Sequence, residues 1–239
     1  MRILIPMAGV GSRFQESGYD LPKPLIDTLG KPMVQRVVES IDIDAEYIYV
    51  VQSSHFQDYG LHSILNGITP DCRIVQIEGT TEGAACTTLL AKELINNSDS
   101  LLIVNSDNVF EWDSNSFVYE MSSDSIDGGI LTFTATDPKW SFVKMDEDGF
   151  ATEVAEKNPI SNIATAGAYF WKNGADYVAC AEQMINKNIR TNNEFYVCPV
   201  YNEAIENNLK ISIFHIEKMW GLGTPEDLNY YIEHYPHGS

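Results

Sequence analysis

The first 104 residues alternate short apolar runs with helical patterns, which leaves few folds open to the chain. The apolar runs that predict strands are 2–6, 47–51, 73–77 and 101–104. The helical patterns between them are 32–41, 56–65 and 84–95. Successive β-α-β units with right-handed crossovers build a parallel sheet that has helices on both faces. Because ligands bind such sheets at the carboxyl ends of the strands, polar residues at those positions are candidates for a site.

The second half of the chain has a different rhythm, in which strands follow one another with short connections. Strands are predicted at 129–136, 142–145, 151–154 and 166–171, then helices at 175–186 and 194–207, a strand at 210–216 and a last helix after Thr224. Antiparallel strands are therefore expected beside the parallel ones. The sequence predicts an α/β fold with a three-layer, Rossmann-like, mixed and mostly parallel sheet that has helices on both faces. No repeat or linker divides the chain, so one domain is expected over residues 1–239.

The charge and the cysteines of the chain limit its partners and its compartment. With 34 acidic and 15 basic residues, the formal net charge is −19, so the mean field repels nucleic acid and anionic membrane surfaces. No apolar stretch approaches the ~20 residues that cross a bilayer. The cysteines lie far apart, without a CxxC pair, at Cys72, Cys86, Cys180 and Cys198. This spacing predicts free thiols and a cytoplasmic protein.

The segment 5–14, I-P-M-A-G-V-G-S-R-F, leads a strand directly into a turn that contains Gly9 and Gly11. Small residues let backbone N–H groups approach phosphate oxygens, although an ordinary tight turn would use the same glycines. Arg13 follows the turn, and Lys23, within the stiff L-P-K-P-L segment, supplies a second cation. The third glycine of a Rossmann fingerprint and the Gly-Lys-Ser/Thr of a P-loop are both missing. The turn is therefore either an ordinary tight turn or a phosphate-binding loop of a type other than these two, and the two cations favour the second.

Together, G-x-G-x-R-F, L-P-K-P-L and G-K-P-M resemble the signature of the sugar-phosphate nucleotidyltransferases, which include glucose-1-phosphate thymidylyltransferases and uridylyltransferases. The resemblance implies the nucleotide-diphospho-sugar transferase type of fold, with an NTP-binding half at about 1–110 and an acceptor-binding half at about 111–239. It implies transfer of a nucleoside monophosphate from an NTP to a sugar 1-phosphate or similar acceptor, with release of pyrophosphate. In this loop it implies nucleotide binding by Ala8, Gly9, Gly11 and Ser12, and catalytic roles for Arg13 and Lys23.

A second group of candidate residues follows the predicted strand at 101–104. Ser106-Asp107-Asn108 places Asp107 at a carboxyl end of the sheet, where a hard carboxylate suits Mg²⁺. An aspartate in this position is also common in ordinary turns. The family resemblance implies that Asp107 is catalytic and binds Mg²⁺ as the cofactor, and that Ser106 lies beside the nucleotide.

The resemblance also implies a base-recognition region within 76–85. Gly83 matches the glycine that family members use there, and Gln76 and Glu78 are alternatives for a second position. If Glu78 holds that position, its carboxylate can only accept hydrogen bonds, which favours a base with an amino group, such as cytosine. A preference for CTP is then expected.

In the second half of the chain, several residues match the family motifs and one departs from them. Glu156 and Lys157 match an E-K-P element whose lysine contacts the acceptor phosphate, and Gly167 matches a glycine that lets the sugar approach. Near the C-terminus, Gly221 stands where family members frequently have a second metal-binding aspartate. Three explanations are open, because glycine has no side chain that coordinates a metal. Asp107 with phosphates and water completes the metal shell, another carboxylate does so, or the chain binds nucleotide without fast chemistry.

Two other functions are alternatives. A nucleotide-sugar-dependent glycosyltransferase would share the α/β architecture, but Ser106-Asp107-Asn108 is not a D-x-D motif and such an enzyme needs no triphosphate-binding loop. A catalytically silent protein that binds a nucleotide or a sugar phosphate would keep the loop without the reaction. The expected partners are an NTP and a phosphorylated small-molecule acceptor, with no nucleic acid and no membrane. The resemblance implies a setting in surface polysaccharide precursor synthesis. The resemblance leaves a homo-oligomer open.

Overall fold

The structure of the chain, a computed structural model, describes residues 1–236, which form eleven β-strands and ten α-helices. The strands are β1 Arg2–Pro6, β2 Glu46–Gln52, β3 Arg73–Ile77, β4 Leu101–Val104, β5 Asn108–Glu111, β6 Gly128–Thr134, β7 Ser141–Met145, β8 Ala151–Glu156, β9 Ile163–Trp171, β10 Ile211–His215 and β11 Lys218–Gly221. The helices are α1 Ser12–Glu16, α2 Met33–Ile41, α3 Ser53–Asp58, α4 Leu61–Ile68, α5 Ala84–Leu89, α6 Lys92–Ile95, α7 Ser114–Met121, α8 Gly174–Asn186, α9 Val200–Glu206 and α10 Pro225–His234.

Nine of the strands form one sheet, whose main order is β10-β6-β9-β4-β1-β2-β3. Four of the six pairings along this order are parallel, and β9 runs antiparallel between β4 and β6. The hairpin of β7 and β8 attaches to β9. The pairing of β4 with β9 therefore joins the strands of the first half of the chain to those of the second half in a single sheet.

Two hydrophobic cores cover the two faces of this sheet. Side chains alternate between them along β1, where Ile3 and Ile5 belong to one core and Leu4 belongs to the other. Helices α2, α4, α7 and α10 pack on the first core, and helices α5, α6, α8 and α9 pack on the second. The predicted three-layer α/β fold with a mixed sheet is confirmed. Within residues 1–236, none of the helices combines the length and the apolar character needed to cross a membrane.

The structure differs from the predicted elements in several places, and helices α1 and α7 were not predicted. The predicted helix at 56–65 is two helices, because Gly60 has a left-handed backbone (φ 61°) at the start of α4. The predicted helix at 84–95 is also interrupted, between Leu89 and Lys92. The predicted helix at 194–207 begins only at Val200, because Pro199 has no N–H to donate within a helix and instead precedes the first turn. A two-stranded antiparallel ribbon of β5 and β11 was not predicted, since these short strands are stabilised by pairing across more than a hundred residues of sequence.

Candidate functional site

An ion pair between Lys23 and Asp107 lies at the centre of the candidate site. Lys23 begins a 3₁₀ turn, Lys23–Leu25, and its Nζ atom donates to Asp107 Oδ2. Asp107 follows the carboxyl end of β4, in the turn that leads to β5. The two side chains are 19% and 23% exposed, so a ligand can still reach both. The fold thus brings together two predicted catalytic residues that lie 84 positions apart in sequence.

The loop after β1 packs closely on the Lys23 turn. Gly11 has a left-handed backbone (φ 66°), and a Cβ atom at this position would lie 3.1 Å from Lys23 Cβ. Glycine adopts this conformation without steric cost and leaves room for the lysine. The buried side chain of Gln52, at the end of β2, donates through Nε2 to the carbonyl oxygens of Ala8 (2.5 Å) and Gly79 (2.7 Å). These hydrogen bonds tie the loop after β1 to the turn that follows β3.

A cavity of about 510 Å³ opens beside this loop, and we call it the glycine-loop cavity. Its volume is in the range of small-molecule binding sites. It is lined by Pro6, Met7, Ala8, Gly9, Val10, Gly11, Lys23, Pro24, Thr80, Thr81, Gly83, Ala84, Thr87, Ser106 and Glu194. All of these residues except Glu194 come from the first half of the chain.

A second cavity of about 330 Å³, the Lys157 cavity, adjoins the first, and Ala84 lines both. Its charged lining residues are Arg13, Asp107, Lys139, Glu156, Lys157 and Asp227. Its aromatic lining residues are Trp140, Tyr169 and Tyr196. Lys139 pairs with Asp227 (Nζ to Oδ1, 2.9 Å). Since Lys23 lines one cavity and Asp107 the other, their ion pair marks the junction between the two.

Glu156 ends β8, and Lys157 follows it at the wall of the Lys157 cavity. Burial raises the pKa of the Glu156 carboxyl, while a hydrogen bond from the Ser141 hydroxyl and the positive charge of Lys157 oppose the rise. Lys157 has a positive φ of 55°, which is uncommon for a residue with a side chain. Its backbone N–H donates to Trp140 O (3.0 Å), and its Nζ donates to Tyr196 Oη (2.6 Å). Lys157 is therefore held at both its backbone and its ammonium group.

Gly167 connects β9 to the end of β4. Its φ is 83°, and a Cβ atom there would lie 2.6 Å from Asn108 Nδ2 and 2.8 Å from Asn105 Nδ2. The backbone N–H of Asn105 donates to Gly167 O (2.8 Å), and Asn108 Nδ2 donates to Ala166 O (2.7 Å). A side chain at position 167 would therefore displace the segment that carries Asp107.

The C-terminal segment after β11 packs directly on Asp107. Leu222 N–H donates to Asp107 O (2.7 Å), and a Cβ atom at Gly223 would lie 3.3 Å from Asp107 Oδ2. At Gly221 a Cβ atom would lie 3.0 Å from the Trp140 ring, so the indole occupies the space into which a side chain at position 221 would extend.

Asp107 is the predicted ligand of Mg²⁺. Within residues 1–236, no group of three or more His, Cys, Asp or Glu side chains is arranged to hold a metal ion. Mg²⁺, however, is commonly bound by one or two carboxylates together with substrate phosphates and water. The single carboxylate at the junction fits a magnesium ion that is shared with a nucleotide.

Most of the predicted site residues lie at one of the two cavities. Those that line the glycine-loop cavity are Ala8, Gly9, Gly11, Lys23, Gly83 and Ser106. Those that line the Lys157 cavity are Arg13, Asp107, Glu156, Lys157 and Gly167. Three predicted residues, Ser12, Gln76 and Glu78, line neither cavity; Ser12 begins α1, and the side chains of the other two are exposed near the end of β3.

Sequence reasoning missed several residues of the site. Gln52 follows a predicted strand at its carboxyl end, which is the signal that singled out Asp107, and the same rule could have found it. Trp140 and Tyr196 carry no such signal, because an isolated aromatic residue is more often part of a core. The pairing of Lys139 with Asp227 joins two distant surface positions, which a single sequence does not relate.

The chain is similar to known proteins over most of its length. The family model described as nucleotidyl transferase matches residues 3–235. A curated relative, the bifunctional protein GlmU of Methanococcus aeolicus, is 30% identical over 178 residues, which cover 72% of this chain and 40% of that protein. The chain thus spans well under half the length of this relative.

Two solved structures share the fold over nearly their whole length. The nucleoside-diphosphate-sugar pyrophosphorylase from Vibrio cholerae RC9 superposes with a TM-score of 0.83 at 24% identity, covering 97% of this chain and 99% of that one. A UDP-glucose pyrophosphorylase complexed with UDP-glucose gives a TM-score of 0.79 at 17% identity, covering 98% and 97% of the two chains. At these identities the likeness concerns the fold.

Proposed function

The chain belongs to the nucleotidyl transferase family, and from this premise we propose that it transfers a nucleoside monophosphate from an NTP to a small phosphorylated acceptor and releases pyrophosphate. A sugar 1-phosphate is the acceptor that the sequence motifs favour. The observation that carries the proposal is the junction of two cavities at the Lys23–Asp107 ion pair. A transfer between two phosphorylated substrates needs two adjoining sites of this kind.

The two cavities suit the two substrates. The glycine-loop cavity would bind the NTP, because its wall contains the flexible-backbone glycines Gly9 and Gly11 and the cation Lys23. The Lys157 cavity would bind the acceptor, with Lys157 beside its phosphate, and Arg13 also lines this cavity. These cations matter because the chain has a formal net charge of −19, which otherwise repels both phosphorylated substrates.

The proposed reaction requires little covalent chemistry from the protein. The acceptor phosphate is already an anionic nucleophile at neutral pH, so no general base has to remove a proton. The protein must instead align this phosphate for in-line attack on the α-phosphorus and neutralise charge on the departing pyrophosphate. Arg13 and Lys23 would provide that positive charge, and Lys157 would orient the acceptor phosphate.

Asp107 is the residue that would hold Mg²⁺ at the junction. When bound, the ion would supply further positive charge to the triphosphate. In the structure the Lys23 ammonium balances the Asp107 carboxylate, and the Leu222 N–H fixes the Asp107 backbone. Asp107 is thereby kept at the place where both cavities meet.

Several finer features belong to the same proposal. Gln76 and Glu78 line neither cavity, so the preference for CTP rests on the sequence argument for an amino-bearing base. The four free thiols favour a reducing compartment, and we place the reaction in the cytoplasm. Surface polysaccharide precursor synthesis is the setting that the family resemblance suggests, and the oligomeric state is open to either a monomer or a homo-oligomer.

Pyrophosphate release tests the proposal directly. ATP, CTP, GTP, UTP and dTTP are each combined with a panel of sugar phosphates and other phosphorylated metabolites in the presence of Mg²⁺. We expect release that depends on one NTP and one acceptor together, and that is lost when either is omitted. If the protein binds nucleotide but releases no pyrophosphate with any pair, a catalytically silent binding protein would be favoured instead. This alternative is specific because Gly221 stands where family members frequently have a metal-binding aspartate. Transfer of sugar from a nucleotide sugar would favour the glycosyltransferase.

A further inference from the structure

The segment 190–196, which connects α8 to the region before α9, contacts the wall of the glycine-loop cavity through its backbone. Phe195 N–H donates to Glu82 O (2.9 Å), and Ala85 N–H donates to Phe195 O (2.9 Å). These hydrogen bonds enclose Gly83, where a Cβ atom would lie 2.5 Å from Phe195 N. The segment 190–196 and the turn before α5 are therefore fixed relative to each other.

The same segment reaches the Lys157 cavity through Tyr196. Lys157 Nζ donates to Tyr196 Oη (2.6 Å) and lies 4.6 Å from the centre of the ring. Burial raises the pKa of the Tyr196 hydroxyl, and the charge of Lys157 opposes the rise. A neutral hydroxyl orients an ammonium group without cancelling its charge, whereas a carboxylate partner would cancel it. Tyr196 thus orients Lys157 without taking away the positive charge that would attract a phosphate.

Arg190 contacts the rest of the segment 190–196 from outside both cavities and stabilises it. Its guanidinium group lies 3.9 Å from the centre of the Phe195 ring and pairs with Glu82 Oε2 at 2.5 Å. It also donates to Asn193 O (3.0 Å). Arg190 is absent from the lining of either cavity, so any effect it has on substrates must pass through the segment.

We propose that Tyr196 positions Lys157 for the acceptor phosphate, and that the segment 190–196 ties this position to the turn that lines the glycine-loop cavity. The inference rests on the proposed function, because it assigns the acceptor phosphate to Lys157. Tyr196 and Arg190 are positioning residues, since they act through Lys157 and through Phe195. Lys157 needs such support because its long side chain is flexible and its backbone is in the left-handed region.

The first test is Tyr196→Phe, which removes the hydroxyl and keeps the ring. We expect the KM of the acceptor found in the pyrophosphate screen to rise about tenfold, as for the loss of one hydrogen bond to a charged group. The KM of the NTP stays within about twofold and kcat within about threefold, because the junction is untouched. Thermal melting checks that the variant is folded.

A double-mutant cycle separates positioning from direct contact. If Tyr196 acts through Lys157, then Tyr196→Phe has no further effect on acceptor KM in a Lys157→Ala background. If the two effects multiply, Tyr196 contacts the acceptor independently and the inference is overturned. A merely structural role of Tyr196 would also persist in the Lys157→Ala background, so the cycle excludes it as well.

Arg190→Ala tests the segment without changing any group that lines a cavity. We expect acceptor KM to rise in the same direction as in Tyr196→Phe, by about threefold. The matched control is Arg73→Ala, which removes an exposed arginine that begins β3 and pairs with Glu46 of β2. Equal acceptor KM values for Arg190→Ala and the control would contradict the role of the segment.

Inorganic phosphate provides a readout that is independent of turnover. Its affinity is measured by ³¹P NMR titration with a non-hydrolysable NTP analogue present to fill the glycine-loop cavity. Tyr196→Phe and Lys157→Ala should both weaken phosphate binding, and unchanged affinity in Tyr196→Phe would refute the inference. If the wild-type protein releases no pyrophosphate with any substrate pair, the proposed function fails, while this titration still decides whether Tyr196 supports a phosphate-binding lysine.

Discussion

Lys23 and Asp107 are joined by a hydrogen-bonded ion pair that connects the turn after the glycine loop to the carboxyl end of β4. Each residue lines a different cavity, so the pair stands between the sites that we assign to the two substrates. Both side chains are partly exposed, and solvent screens their attraction. The pair is thus better suited to exchange partners with a phosphate or a metal ion than to stabilise the fold.

The first prediction follows from this exposure. Asp107→Asn removes the carboxylate charge but keeps the shape of the side chain, so stability changes by no more than about 1 kcal/mol. Turnover falls by about 100-fold or more, because the junction loses the group that would hold Mg²⁺. Pyrophosphate release and thermal melting measure the two effects. Asp124→Asn, at a fully exposed aspartate paired with Lys172, is the matched control and should leave turnover unchanged.

The second prediction contrasts two glycines that line the same cavity. Gly9→Ala adds a methyl group where no atom lies within 4 Å, so stability should change by less than about 0.5 kcal/mol while the NTP KM rises. Gly83→Ala adds a methyl group 2.5 Å from Phe195 N, at a φ of 136°, and should destabilise the protein by about 2 kcal/mol or more. Urea unfolding of both variants measures the difference. Equal stabilities would mean that the turn and the segment 190–196 are not in contact.

The fold was predictable from the sequence to the extent that its signals are local. The strands that alternate with helices in the first half have their apolar patterns in consecutive residues, and Asp107 follows from its place after such a strand. Tyr196 illustrates the opposite case. The apolar pattern around it predicts a helix at 194–207, whereas the structure begins α9 at Val200 and leaves Tyr196 free to reach Lys157. Its role depends on a contact that spans 39 positions in sequence.

Gly221, which stands in place of the family aspartate, shows a similar limit of prediction from sequence alone. Comparison with the family pattern identifies the missing aspartate, but the sequence alone does not reveal that the Trp140 ring lies against this glycine. Trp140 is 81 positions earlier in the chain, at the start of the β7–β8 hairpin. Only the folded chain brings the two together.

The third prediction uses the left-handed backbone of Lys157. Lys157→Ala and Lys157→Gly both remove the ammonium group, and each should raise acceptor KM by about tenfold or more. The two variants should differ in stability, because glycine adopts a φ of 55° without the steric cost that alanine has. Lys157→Gly is therefore expected to be more stable than Lys157→Ala by about 1 kcal/mol. Chemical denaturation in parallel gives this difference, and a more stable alanine variant would contradict the strained backbone.

The fourth prediction concerns the pH dependence of stability at Glu156. Burial raises the pKa of this carboxyl in the folded state, and the Ser141 hydrogen bond and the Lys157 charge only partly offset the rise. The protonated form therefore favours folding, and that contribution is complete below the unfolded-state pKa and is lost as the pH rises through the folded-state pKa. At neutral pH the ionised carboxylate is a cost to stability.

Glu156→Gln tests this sign. Glutamine keeps an oxygen that can accept from the Ser141 hydroxyl but has no charge to desolvate, so the variant should be more stable than the wild type at pH 7.5. The gain should shrink as the pH falls and vanish below the usual pKa of a glutamate, where both side chains are neutral. Exposed Glu206→Gln is the control, and it should show no such gain at pH 7.5, since it loses an ion pair with Lys187 and relieves no burial. A Glu156→Gln variant that is less stable than the wild type at pH 7.5 would mean that the Lys157 charge outweighs burial in setting this pKa.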